Sequence, residues 1–371
     1  MNRLQVYACA LTALLGFPAC SEKKSNSGNG EPVTIVCDTI TLPVNDEDMT
    51  LMSYSAAQFL PTPEGDTLLL AFNYKTNCID RFNLSNKTTL RPIVIDREGS
   101  NGIPGEIIWF EQFAPDSLVA TNGMGVYLLD TVGRVLSSQM FPNETFAFVS
   151  RNAGSHTALI NYNSDTHNIT YPSRGEDSMS LNLLNILSGE NKTLGELPGW
   201  TGEMRGFMLY PNVTFTNDTT ALVAFPYSPA ISIYSGNKTL ASTSSAMSLV
   251  PQEVKKSNSN PDELMWHGFE NPHYAEVMPV CNGTIYLQVV LGATNETDRS
   301  NPDQMAFDRN TYLRVLDSNL NTIEELDLGA GEINPFSCWL PTTDGIIFFC
   351  DSPLNPHSES EIIMRRYTVS H

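Results

Sequence analysis

A recurring unit of short apolar strands and turns is the feature that most constrains the fold of this chain. Each copy has a turn with Asp or Gly, an apolar strand, a variable gap, a second apolar strand, another turn and a third strand. Runs of Val, Ile, Leu, Phe and Tyr between Gly, Asn, Asp, Ser and Pro are typical of β-strands and turns. Six copies follow one another about 40 to 63 residues apart, and they start near Gly65, Asp116, Thr157, Thr220, Gly283 and Gly345.

This spacing predicts an all-β fold and, most specifically, a six-bladed β-propeller, whose blades repeat about every 40–50 residues. One further strand, Val33–Asp38, precedes the first copy, while the sixth copy ends at the C-terminus. We therefore expect the N-terminal strand to complete the last blade. A β-sandwich or two smaller β domains remain the alternative, because the period is irregular.

The N-terminal segment has the pattern of an export signal. Arg3 precedes an apolar run from Val6 to Phe17, and a polar stretch follows Cys20. The run is too short for a membrane-spanning helix, which needs about 20 residues. A Cys at the cleavage point resembles a bacterial lipoprotein signal, in which that Cys carries the lipid; the alternative is an ordinary secretory signal. The predicted division is 1–19 signal, 20–32 flexible tether and 33–371 propeller.

The predicted location is therefore the cell envelope, with lipidated Cys20 holding the chain to the outer membrane. The formal net charge is −20. An acidic surface repels phosphate backbones, so nucleic acid is excluded as an expected partner. The remaining partner predictions are the membrane, through Cys20, and an unknown protein or glycan.

Five cysteines lie beyond Cys20, and their odd number leaves the pairing open. Cys338 and Cys350 flank a turn and are able either to form a disulfide in an exported protein or to pack as small apolar side chains. The other three are Cys37, Cys78 and Cys281.

One short segment concentrates residue types that bind metals. It contains Trp266, His267, Glu270 and His273, and His and carboxylate side chains are common ligands. Gly268 and Pro272 argue against a helix here, so we expect a loop. The plainer interpretation is a loop with packed aromatic rings and solvated polar groups. No cofactor is predicted, since no nucleophile elbow, phosphate loop or dinucleotide fingerprint occurs.

The stretch Ile95 to Gly102, which contains Arg97, Glu98 and Gly99, carries a family resemblance. With the following Pro104-Gly105-Glu106 and the N-terminal signal, it resembles Bacteroides-type exported lipoproteins of unknown function. The resemblance implies a six-bladed β-propeller with this turn between its first two blades, and it implies no activity. On its own residues, the stretch predicts a structural inter-blade turn in which Gly99, Gly102 and Gly105 permit left-handed backbone; a ligand loop is the alternative.

A second resemblance concerns modification. Five sites have the order Asp, hydroxyl residue, apolar residue, which resembles the O-glycosylation acceptor of Bacteroides exported proteins. The same order is also expected where Asp ends a turn and a strand follows. The hydroxyl residues are Thr39, Thr67, Ser117, Thr131 and Ser178.

Taken together, these features favour a non-enzymatic binding or scaffold lipoprotein of unknown ligand. The alternative is a periplasmic or surface hydrolase or lyase with a metal in the propeller channel. Several His, Asp or Glu side chains converging on one point of the channel would favour the enzyme.

Overall fold

A computed structural model describes the chain as a ring of six antiparallel sheets, the blades of a β-propeller. The described residues are 23–24, 33–43, 54–63, 65–99, 101–142, 145–146, 160–174, 178–197, 211–236, 238–250, 261–335, 337–350, 352, 354 and 361–370. Cys20 lies outside them. The described residues hold no helix long and apolar enough to cross a bilayer.

In blades 1 to 5, the strands follow one another in the sequence from the innermost to the outermost. Blades 1 to 5 consist of β3–β6, β7–β10, β11–β15, β16–β19 and β20–β23. The strands are β1 (Lys23–Lys24), β2 (Thr34–Pro43), β3 (Tyr54–Pro61), β4 (Thr67–Asn73), β5 (Cys78–Asn83), β6 (Thr88–Val94), β7 (Trp109–Ala114), β8 (Ser117–Thr121), β9 (Gly125–Asp130), β10 (Val135–Met140), β11 (Thr145–Phe146), β12 (Asn161–Asn163), β13 (Asn168–Arg174), β14 (Met179–Asn185), β15 (Asn191–Leu197), β16 (Asn212–Asn217), β17 (Thr220–Ala224), β18 (Ile231–Ser235), β19 (Lys238–Thr243), β20 (His273–Val280), β21 (Ile285–Thr294), β22 (Arg309–Asp317), β23 (Thr322–Ala330), β24 (Trp339–Pro341), β25 (Gly345–Phe349) and β26 (Glu361–Ser370). Two short helices, α1 (Pro261–Glu270) and α2 (Pro302–Phe307), lie in connections of blade 5.

The sixth blade joins the two ends of the chain. Its order is β24, β25, β26, β2, with β1 at the outer edge. The pairing of β2 with β26 runs without a break from Thr34 opposite Ser370 to Pro43 opposite Glu361. The predictions of an all-β six-bladed propeller and of closure by the N-terminal strand are confirmed.

The core is divided into six main clusters, one at each boundary between neighbouring blades. Alternate residues of a strand point to opposite faces of its sheet. In β4, Leu68, Leu70 and Phe72 therefore pack toward blade 2, while Leu69 and Ala71 pack toward blade 6. Because both faces of each blade are buried, the middle strands consist of nearly continuous apolar residues. These runs are the signal that the sequence repeats carry.

The innermost strands are the ones that the repeats did not reveal. They are shorter or more polar than the middle strands, and β20 alone places His273 and Glu276 inside the protein. In the third unit, the strand expected near 157–160 falls largely outside the described residues. The corresponding middle strand is β13, whose sequence NITYPSR has little apolar character.

The cysteines that the structure describes are all thiols, with no disulfide among them. Cys338 and Cys350 are buried, 3% and 1% exposed. They occupy apolar surroundings, which is the second of the two uses expected from the sequence. Within the predicted tether, Lys23 and Lys24 pair with Ile35 and Thr34.

Two neighbouring residues of β2 provide a matched test of ring closure. Ile35 is 5% exposed and belongs to the cluster between blades 5 and 6, whereas Val36 is 43% exposed on the other face. Ile35→Ala should lower the free energy of unfolding by about 2–4 kcal/mol, and Val36→Ala by less than about 1 kcal/mol. Urea unfolding of residues 20–371 measures both, and equal effects would contradict burial of this strand in the ring.

Candidate functional site

One face of the ring carries two neighbouring cavities. We call it the turn face, because the turns from first to second strand and from third to fourth strand of each blade meet there. In blade 6 this turn is Thr342–Asp344, and in blade 5 it is Cys281–Thr284. The backbone N–H of Val369, near the end of β26, donates to the Asp344 carbonyl at 2.7 Å. The C-terminus and the start of β2 therefore lie at the same face.

The larger cavity is a groove of about 800 Å³ at the boundary between blade 6 and blade 1, and we call it the seam groove. Its walls come from β2, β3, β4, β24, β25 and β26 and from turns of both blades. It therefore exists only because the N-terminal strand closes the ring. The lining residues share apolar or hydroxyl side chains with three ionic groups among them: Thr39, Ile40, Phe59, Pro61, Thr67, Leu84, Ser85, Lys87, Pro341, Thr342, Thr343, Asp344, Ile347 and Arg366.

The positive and negative charges in and beside the seam groove nearly cancel. Arg366 makes two hydrogen bonds to Asp38 on the neighbouring strand, one from Nε to Oδ1 at 3.1 Å and one from Nη2 to Oδ2. The bonded Asp38 carboxylate raises the pKa of Arg366 above its usual value. Lys87 and Asp344 supply one charge of each sign, and both are exposed. The groove is therefore close to electrically neutral.

The smaller cavity, about 360 Å³, lies between blades 4 and 5, and we call it the side cavity. Thr342 and Thr343 line both cavities. Its other lining residues are Thr216, Thr220, Leu222, Ile233, Pro279, Val280, Asn282, Gly283 and Tyr286.

A left-handed turn of blade 5 lines the side cavity and contacts blade 6. Cys281, Asn282 and Gly283 have φ of +51°, +57° and +78°, a region that non-glycine residues other than Asn rarely adopt. The Cys281 N–H donates to the Thr343 carbonyl at 2.6 Å, and its thiol lies 3.7 Å from the Val369 carbonyl. These contacts hold the strained turn against blade 6.

A buried carboxylate ties the inner strands of three blades together. Thr214 of blade 4 donates to Glu276 Oε1 at 3.4 Å, and Trp339 of blade 6 donates its Nε1–H to Oε2 at 3.2 Å. Glu276 is only 2% exposed.

On the inner strand of blade 2, burial raises the pKa of Glu111 to about 7. Neither this carboxylate nor that of Glu276 could be predicted from the sequence, because their inner strands lack the apolar pattern.

The four residues of the predicted metal segment divide into two separate groups. His267 and His273 are buried, and both rings contact Tyr227, with ring centroids 4.7 and 6.0 Å away. Arg309 lies 3.4 Å from His273 Nδ1 through its Nη2. Burial first, and then this cation, hold the pKa of His273 well below its usual value, so the ring is neutral.

Trp266 and Glu270 belong to the second group, at the surface. Glu270 accepts two hydrogen bonds from Arg299, at 2.6 and 2.8 Å. The Arg299 guanidinium also lies 5.6 Å from the centre of the Trp266 ring. Within the described residues, no group of three or more His, Cys, Asp or Glu side chains is placed to hold a metal ion.

The expectation of a loop at this segment is wrong for residues 261–270, which form helix α1. Pro261 begins the helix, where its missing N–H costs nothing. Gly268 costs only about 1 kcal/mol inside a helix, and Pro272 lies beyond the last helical residue. Packing of Phe269 against Met305 and Phe307 from α2 stabilises the helix instead.

The turn between blades 1 and 2 has structural contacts. Arg97 donates to the Tyr74 carbonyl of blade 1, and the Ile103 N–H donates to the Asp96 carbonyl at 2.8 Å. Gly99 has a left-handed φ of +87°. At Gly102 the requirement is space rather than a positive φ, because a Cβ would lie 2.5 Å from the Glu98 carbonyl oxygen.

Four of the five predicted glycosylation sites place their Asp in a described contact. Asp38 binds Arg366, Asp66 accepts from Asn83 at 2.9 Å, and Asp116 accepts from Ser117 at 3.0 Å. Asp130 accepts from two N–H groups of its own turn. Thr39 is exposed, whereas Thr67, Ser117, Thr131 and Ser178 are half-buried. Modification of these hydroxyls stays a prediction.

Known structures share this architecture. A member of the DUF4221 family from Bacteroides vulgatus superposes with a TM-score of 0.76 at 13% identity, over 91% of this chain and 99% of that chain. A protein designated as exported from Bacteroides fragilis superposes with a TM-score of 0.55 at 12% identity, over 90% and 96%. Such identities show the fold alone. No protein-family model and no curated protein matches the sequence.

The resemblance to Bacteroides exported propellers that the turn after Ile95 implied is confirmed at the level of the fold. Lipid modification of Cys20 stays a prediction.

The raised pKa of Glu111 predicts a pH-dependent stability. In the folded protein, the Glu111 carboxyl keeps its proton up to about pH 7. In the unfolded chain, a Glu carboxyl releases its proton near pH 4.3. The stabilisation from the protonated form is therefore complete below that value and is lost as the pH rises through 7. Glu111→Gln, which cannot ionise, should match the free energy of unfolding of wild type at pH 4.5 and exceed it by about 3–4 kcal/mol at pH 8. Urea unfolding at both pH values measures this, and a constant difference would contradict it.

Proposed function

We propose that this protein is a non-enzymatic binding or scaffold lipoprotein of the cell envelope, anchored through Cys20, that holds its ligand in the seam groove. The observation that carries the proposal is the groove itself: an open cavity of about 800 Å³ with apolar and hydroxyl walls at the ring closure. Ligand sites in proteins are typically concave, mostly apolar and equipped with a few polar groups.

The chemistry of the groove suits binding better than catalysis. Its ionisable side chains are Lys87, Asp344 and Arg366, and Arg366 is already engaged by Asp38. A metal-dependent hydrolase or lyase needs converging ligands and an acid or base. Within the described residues the two histidines of α1 and β20 are packed against Tyr227 instead. These contacts favour a binding surface over the alternative enzyme.

The direction of the chain supports a role at the membrane. Val33 enters the ring at the turn face, beside the end of β26. A lipid on Cys20 would therefore attach the protein through the face that carries the groove. We propose that the ligand is a component of the envelope presented to this face.

Site-specific photocrosslinking in the native cell tests the proposal. A benzophenone amino acid at Thr343, on the rim of the groove, should form crosslinks to envelope material. The same residue at Met124 should not, because Met124 is 52% exposed in a turn of the opposite face. Equal crosslinking at the two positions, or none at Thr343, would contradict the proposal, and benzophenone reports protein and glycan partners alike.

The anchor has its own test. Cys20→Ala should move the protein from the membrane fraction to the soluble fraction, since stable attachment depends on the acyl chains. The thermal midpoint of the folded domain should stay unchanged, because the pairing that closes the ring begins at Thr34. Retention of the variant in the membrane fraction would show that another contact provides the attachment.

A further inference from the structure

We infer that the seam groove and the side cavity are two subsites of one extended site, and that this site binds a neutral oligosaccharide. The inference rests on the proposed binding function and adds the chemical class of the ligand. Its first support is continuity, because Thr342 and Thr343 line both cavities. A chain-like ligand that crosses this turn contacts blade 6 once and reaches the groove on one side and the side cavity on the other.

The side cavity is lined without any acidic or basic side chain. Its polar groups are hydroxyls and one amide. Asn282 and Thr343 are exposed, and Tyr286 is half-buried; within the described residues, the side chains of these three make no hydrogen bond. Burial raises the pKa of Tyr286, so its phenol stays protonated. Each hydroxyl both donates and accepts, which is the complement of a sugar hydroxyl.

The apolar part of the side cavity suits the other surface of a sugar. Leu222, Ile233 and Pro279 supply aliphatic groups beside the hydroxyls. A pyranose ring presents C–H groups on its faces and hydroxyls at its edges, so it fills such a mixed cavity without leaving either kind of surface unpaired. The seam groove repeats the mixture, with Phe59 and Ile40 beside Thr39 and Thr67.

Charge distinguishes a neutral ligand from an anionic one. Of the two cations in the seam groove, Arg366 is bound to Asp38, and the single positive charge of Lys87 is matched in number by the negative charge of Asp344. A phosphate or carboxylate ligand would find little uncompensated positive charge, in a protein whose net charge is −20. The geometry therefore favours an uncharged glycan over an acidic polymer.

The two subsites are held at a fixed separation. The hydrogen bond from Cys281 to the Thr343 carbonyl joins the left-handed turn of blade 5 to the shared turn of blade 6. Asn282 belongs to the same turn, with a φ of +57°, and lines the side cavity. A rigid pair of subsites binds one long ligand more tightly than two short ones, because the second contact becomes intramolecular.

A glycan array followed by isothermal titration calorimetry tests the inference on the chain without its signal. The array contains neutral hexasaccharides of glucose, mannose, xylose and galactose, acidic oligogalacturonates and a set of peptides. We expect a neutral hexasaccharide to bind with a stoichiometry of one and more tightly than its disaccharide. Asn282→Gly, which keeps the left-handed turn, and Thr67→Val in the seam groove should each weaken binding about tenfold.

Two matched variants serve as controls. Asn319→Gly and Thr131→Val change turns of the same face outside both cavities and should leave the affinity within about twofold of wild type. A stoichiometry of two, or loss of one site rather than of affinity in the variants, would overturn the single-site inference. Binding of peptides alone, of acidic glycans alone, or of nothing on the array would overturn the ligand class. Crosslinking at Thr343 to a protein would at the same time leave the proposed binding function standing.

Discussion

The pairing of β2 with β26 is the interaction on which the rest of this structure depends. Ten residue pairs, from Thr34–Ser370 to Pro43–Glu361, join segments at opposite ends of the chain. Without residues 33–43, the cluster between blades 5 and 6 loses Val33 and Ile35, and the cluster between blades 6 and 1 loses Leu42. The exposed ion pair of Asp38 and Arg366 adds little by comparison, because solvent screens it. Burial of apolar surface across the seam is the larger contribution.

The candidate site is a consequence of the same closure. The seam groove has one wall from the N-terminal strand and one from the first blade, so a chain that left the ring open would have no groove. The turn face also gathers the start of β2, the end of β26 and the strained turn at Cys281. The fold and the candidate site therefore both depend on the position of a single strand. The strained backbone at Cys281 persists because its contacts with blade 6 hold the turn in that conformation.

The sequence predicted the ring but not the site, for physical reasons. Runs such as Leu68 to Phe72 are apolar on both faces, and such runs predict the middle strands of the blades. The inner strands contain buried polar residues, among them Glu111, Glu276 and His273. These residues interrupt the apolar runs from which a strand is predicted. The grouping of Trp266, His267, Glu270 and His273 suggested a metal segment. Helix α1, however, buries His267 and leaves Glu270 at the surface, and His273 lies in the inner strand β20. The seam groove contains residues more than 300 positions apart, such as Thr39 and Arg366. These residues come close to one another only when the ring closes.

Hydrogen exchange of the native protein tests the central claim, that β2 is an integral part of one cooperative ring. The amide protons shared between β2 and β26 should exchange with the same free energy of opening as those of β4 and β5 in blade 1, because the seam opens only when the whole ring unfolds. Slow exchange at both places with equal dependence on urea is the predicted result. Exchange at Ile35 and Cys37 several kcal/mol easier than in blade 1 would show that the strand detaches locally, and it would contradict the dependence of the fold and the groove on the seam.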